Sequence, residues 1–86
     1  MYNNIVLYKG NANTSIRSFL VDRIKRHEII DMYDLITELE DGFGCKNVDR
    51  SDITYRIKDT EVFYDRILDK LYANSDYYYM ELDRRN

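Results

Sequence analysis

The sequence predicts an α+β fold in which a three-helix core carries a small antiparallel hairpin. Three observations predict it. Apolar residues recur at helical spacing from Ile16 to Ile24 and again from Met32 to Leu39. Two matched helix-start signals, Asp31 with Asp34 and Asp49 with Asp52, divide the middle of the chain into separate helices. After Thr60 the period shortens, and two β-prone runs flank a short tip.

Taken in order, Met1-Tyr2-Asn3-Asn4 is polar and Ile5-Val6-Leu7-Tyr8 is a β-prone run ended by Gly10, so residues 1–13 read as a brief strand or arm. Asn11-Ala12-Asn13-Thr14 then supplies turn and N-cap chemistry. The first helix follows from Thr14, with Ile16, Phe19, Leu20 and Ile24 on one stripe and Arg17, Asp22, Arg23 and Lys25 mostly off it. It should end near Arg26, where basic residues complement the helix dipole. Ile29-Ile30 is long enough for a strand of two or three residues.

The runs from Ile30 to Leu35 and from Val48 to Ile53 share one signature: apolar, Asp, two residues, Asp, apolar. In each, the first Asp is placed to accept from orphan N–H groups, and the second puts negative charge in the first turn. The flanking apolar residues have the spacing of a hydrophobic staple. The second helix carries Met32, Leu35, Ile36 and Leu39 on one face and should stop at Gly42 in a left-handed conformation. Gly42 to Asn47 reads as a turn anchored by Phe43. The third helix is short, with Ile53 and Ile57 inward and Arg50, Thr54 and Lys58 outward. Val62 to Asp65 and Lys70 to Ala73 form the hairpin, although its tip lacks the Gly-rich turn usual there. Asn74-Ser75-Asp76 starts a last short helix over Tyr77–Leu82, with Tyr78, Tyr79 and Leu82 placed to pack back on the body.

Helix, short strand, helix, helix, hairpin is the order of a winged helix-turn-helix, with the third helix in the recognition position and residues 65–70 as the wing. The chain thus divides into an arm (1–13), a winged-helix core (14–74) and a C-terminal short helix with tail (75–86). The run from Thr14 to Ala73 also resembles the HARE helix-turn-helix family, the bacterial group that includes the amino-terminal domain of the RNA polymerase delta subunit. The residues that carry the resemblance are Ile29 to Leu35 entering the second helix, and Tyr64-Asp65 with Lys70-Leu71-Tyr72 in the hairpin. It implies a transcription-associated module, within a longer bacterial protein as readily as free-standing, and it transfers no catalytic residue.

Composition narrows the function. The chain has 86 residues, 44% of them hydrophobic, and it is rich in Tyr, with nine. A domain this small buries only about 60% of its unfolded surface, and a single cysteine, Cys45, rules out an internal disulfide. One cysteine, no signal-peptide pattern and no long apolar run point to a cytoplasmic protein with no membrane span. P-loop, dinucleotide and zinc spacings and the nucleophile elbow are all missing, so neither cofactor nor small-molecule substrate is expected and the chain reads as non-enzymatic. Cys45 reads as a structural thiol and His27 as a helix-end residue. Asp34, Glu38 and Asp41 share one helical face, and a solvated acidic face accounts for them without a metal.

The net charge is −3, unevenly distributed. Residues 31–45 hold Asp31, Asp34, Glu38, Glu40 and Asp41 with no Lys or Arg, whereas Arg17, Arg23, Lys25 and Arg26 make residues 14–30 basic. Two partner classes stay open. For DNA, Arg50, Ser51, Thr54 and Lys58 on the third helix would meet base edges or phosphates, with Arg66 and Lys70 on the wing and Arg17 on the first helix adding backbone contacts. Against this, each cation has acids next to it in sequence. For a protein partner, the interface would be Glu38 and Asp41 of the acidic helix with Tyr77, Tyr78 and Met80 of the aromatic C-terminal segment. That segment has an alternative use, as a cover for the domain's own core.

Overall fold

The computed structural model describes residues 14–46 and 48–85, so the expected arm over 1–13 lies outside the described residues. Helix α1 (Thr14–His27) is followed by strand β1 (Ile29–Asp31) and helix α2 (Met32–Thr37), which continues as a π-helical turn over Glu38–Gly42. Helix α3 (Arg50–Arg56), strands β2 (Phe63–Asp65) and β3 (Lys70–Tyr72), and helix α4 (Ser75–Arg85) complete the order. The three strands form one antiparallel sheet in the order β1-β3-β2.

Register decides what each face of the sheet covers. Ile30, Leu71 and Tyr64 lie side by side across the three strands, as do Ile29, Tyr72 and Phe63. Side chains alternate along a strand, so these two rows point to opposite faces. Ile30 and Leu71 join Phe19, Leu20 and Ile24 of α1, Met32 and Leu35 of α2, and Ile53 and Ile57 in one buried cluster, with Tyr64 packed at its edge. The other row meets α4, where Tyr78 stacks 4.3 Å from Phe63 and edge-on at 5.5 Å to the fully buried Tyr72. The sheet is therefore sandwiched, with α1, α2 and α3 on one side and α4 on the other.

The inward faces expected of the first three helices are buried or half-buried. Phe19, Leu20 and Ile24 are buried on α1, and Ile16 is half-buried at its edge. Ile53 and Ile57 point into the core from α3 and its end. Ile29-Ile30 forms a strand as expected, and its third residue, Asp31, pairs with Lys70. The C-terminal helix is longer than Tyr77–Leu82, reaching from Ser75 to Arg85, and the Asn74 side chain accepts from the Asp76 N–H at its start (2.9 Å).

Local details correct the expected caps. Asp49 behaves as a cap should, its carboxylate accepting from the Asp52 N–H at 3.0 Å. Its truncation in Asp49→Ala should cost about 1 kcal/mol, read as a lower urea midpoint with an unchanged slope. Asp31 does not cap α2 through its side chain, because it belongs to β1 and shares the α4-side row with Lys70. The first N–H of α2, that of Met32, donates instead to the Asp69 carbonyl (2.8 Å). Gly42 is not the left-handed terminator. It lies inside the π-helical turn, and Gly44 takes positive φ (67°) two residues later. The wide turn brings the Cys45 N–H to the Leu39 carbonyl at 2.9 Å, satisfying a helix-end acceptor. Phe43 anchors the turn as expected, edge-on to Phe19 at 5.1 Å.

Three more positive-φ positions carry acidic residues rather than glycine: Glu28 after α1, Asp59 after α3 and Asp69 in the hairpin tip. Asp tolerates this region better than most side chains. Asp69 thus supplies the conformation that the tip was missing when read for glycine.

Candidate functional site

An open groove of about 820 Å³ runs between the start of α3 and the hairpin, lined by Asp49, Arg50, Ser51, Thr54, Tyr64, Arg66 and Asp69. Its walls follow from the fold. Asp49 caps α3, so Arg50, Ser51 and Thr54 sit in its first turns with Ile53 turned inward. Tyr64 packs at the core edge of β2, and Arg66 and Asp69 occupy the four-residue tip between Asp65 and its partner Lys70.

The centre of the groove is a network between α3 and the hairpin. Arg50 donates from Nε (2.9 Å) and Nη2 to the two carboxylate oxygens of Asp69, a bidentate pair. The Tyr64 hydroxyl donates to the same Asp69 Oδ1. The hydrogen bonds from Arg50, and next the one from Tyr64, hold the Asp69 carboxyl below its usual pKa against the effect of partial burial. Bonding to Asp69 raises the Arg50 guanidinium pKa further. Burial and the Asp69 carboxylate together push the Tyr64 phenol up. The groove thus brings two arginines, two aspartates and the Tyr64 phenol together.

The remaining polar groups differ in how committed they are. Ser51 donates to Asp49 (2.7 Å) and Thr54 to the Ser51 carbonyl (3.1 Å), so both hydroxyls keep acceptor lone pairs for a ligand. Arg66 is exposed and makes no ion pair among the described residues. Beyond it at the tip, Ile67 is 93% exposed and Leu68 is exposed too, while Asp65 accepts from both their N–H groups.

Four of the seven residues expected to meet nucleic acid converge here: Arg50, Ser51, Thr54 and Arg66. The other three do not line the groove. Lys58 is exposed just beyond the end of α3, and Arg17 is exposed on α1. Lys70 lies on the α4 face of the sheet and approaches Glu81 at 3.5 Å. The charge balance expected from sequence neighbours is also corrected. Arg50 forms its bidentate pair with Asp69, nineteen residues away in sequence.

The residues of the alternative interface are spread out. Glu38 is half-buried, bridging Arg23 (2.9 Å) and His27 (2.7 Å). Burial pushes its carboxyl up, but the bonds from Arg23 and His27 outweigh that and leave its pKa lowered. Asp41 is exposed. Tyr77 is half-buried and donates to Glu28 (2.9 Å), and Tyr78 is stacked on Phe63, so both serve the docking of α4. Met80 is half exposed, and Tyr79, which was expected to pack inward, is 59% exposed.

Sequence reading missed two acids of the groove, Asp49 and Asp69, as well as Tyr64. It also missed that Asp52 and Arg56, at i and i+4 of α3, are both buried. Cys45 is buried, and that burial raises its thiol pKa. Among the described residues no cluster of three His, Cys, Asp or Glu is placed to hold a metal, and no helix is long and apolar enough to cross a membrane. Compared with protein families, curated proteins and solved structures, the chain matches none.

Proposed function

We propose that this chain is a non-enzymatic winged helix-turn-helix module that binds duplex DNA through the groove between α3 and the β2–β3 hairpin. One observation carries the reading: Arg50, Ser51 and Thr54 of α3 and Arg66 of the hairpin line a single open groove. An α-helix is about 10–12 Å across with its side chains, a diameter that a major groove about 12 Å wide admits. Arginines suit guanine edges and phosphates, and hydroxyls suit either class of contact. The resemblance of residues 14–73 to the HARE helix-turn-helix family extends the reading to a transcription-associated role.

A second reading has its own support. The two arginines of the groove are matched by two aspartates, and the hairpin tip presents Ile67 almost fully exposed. A mixed-charge groove beside an apolar tip suits a protein partner, in which case this surface rather than the α4 tyrosines is the interface.

Titration of a random-sequence duplex separates the two. Under the DNA reading, binding appears at micromolar protein in low salt, and log K falls against log salt with a slope of about −2 to −4, for two to four neutralised phosphates. No binding at low salt would overturn it and leave the protein reading standing.

A further inference from the structure

We propose that Asp69 sets the DNA affinity of the groove by occupying the edge of Arg50 that a phosphate or a guanine would take. The proposal rests on the DNA reading of this same groove. Arg50 presents its Nε and Nη2 edge to a carboxylate, which is also the geometry with which a guanidinium grips two phosphate oxygens. The aspartate and a nucleic-acid anion are thus direct competitors for one fork, and DNA binding becomes an exchange of one anion for another.

The competitor is held in place from several sides. Tyr64 donates to the carboxylate, and the Asp69 carbonyl accepts the first N–H of α2. Its backbone sits at φ 58°, where glycine or asparagine would fit as well. The turn therefore does not require a negative charge at this position. Among the described residues that charge has one partner of opposite sign, Arg50, which sits at the start of α3 with 58% of its side chain exposed. Arg66, on the same tip, has no such competitor among the described residues. The groove thus contains one held and one free guanidinium.

Asp69→Asn tests this directly, because asparagine suits the left-handed backbone and keeps an oxygen for the Tyr64 hydrogen bond, while the charge and the second oxygen that Arg50 grips are removed. Duplex affinity should rise roughly tenfold at low salt, and the salt slope should steepen by about 0.9 as one more phosphate is neutralised. Tyr64→Phe, which frees the carboxylate without changing any charge, should tighten binding roughly two- to threefold. Asp59→Asn removes the same charge at another left-handed position, beyond the end of α3, and should change affinity by less than about twofold. The Arg50 Nε–Hε resonance of the free protein gives a readout independent of DNA, and should move in Asp69→Asn but not in Asp59→Asn. A folded Asp69→Asn variant with wild-type affinity, slope and resonance would overturn the proposal while leaving the DNA reading intact. An equal gain in Asp59→Asn would overturn it too, by showing that net charge alone is responsible. If wild type and Asp69→Asn both fail to bind, the DNA reading falls and this inference with it.

Discussion

Leu71→Ala should remove about 2–5 kcal/mol of folding stability, the range for a fully buried leucine whose site cannot collapse. Leu71 has no exposed surface, sits on the central strand and is flanked across the sheet by Ile30 and Tyr64. Neighbours fixed by hydrogen bonds on both sides cannot close over the space it leaves. At roughly 0.05–0.15 kcal/mol per residue, the loss is a large fraction of what a domain this small possesses. Urea denaturation checks it as a lower midpoint at unchanged slope. Ile67→Ala, at the exposed tip of the same hairpin, should shift stability by no more than about 0.5 kcal/mol. Similar shifts in the two variants would mean that the sheet does not face the core as described.

The helices and the hairpin were legible because each is specified locally. Apolar spacing alone places Phe19, Leu20 and Ile24 inward, and Asp49 caps α3 because the acceptor and the N–H it satisfies are three residues apart. The short run Ile29-Ile30 was legible as a strand, but its place beside β3 was not, since pairing depends on residues forty positions away. Chain reversal was the weakest signal. The sequence invites a search for glycine, yet beside Gly44 the left-handed positions among the described residues fall on Glu28, Asp59 and Asp69, whose side chains do not advertise them. The groove was half legible for the same reason. Its arginines and hydroxyls are visible as outward positions of one helix and one turn, whereas the Arg50–Asp69 pair exists only because the hairpin folds back over the start of α3. Acids adjacent in sequence gave a false charge balance. Asp52 is buried, and Asp65 is used by the turn.

Arg66→Glu should weaken duplex binding roughly 10- to 100-fold near 0.1 M salt, since it replaces an available phosphate contact by a repulsion. Arg66 is the groove cation with no acid to leave first. The informative comparison is the matched pair Arg66→Gln and Lys70→Gln, which change net charge equally. Sheet register puts Lys70 in the row that faces α4, beside Glu81, and Arg66 on the turn that closes the groove. At this ionic strength charges are screened over about 10 Å, so position should outweigh net charge. Arg66→Gln should cost roughly tenfold and Lys70→Gln less than about twofold. Equal losses would show that binding follows the overall charge of the chain and not this groove. Unchanged binding in both would place any DNA contact elsewhere and leave the groove between α3 and the hairpin to a protein.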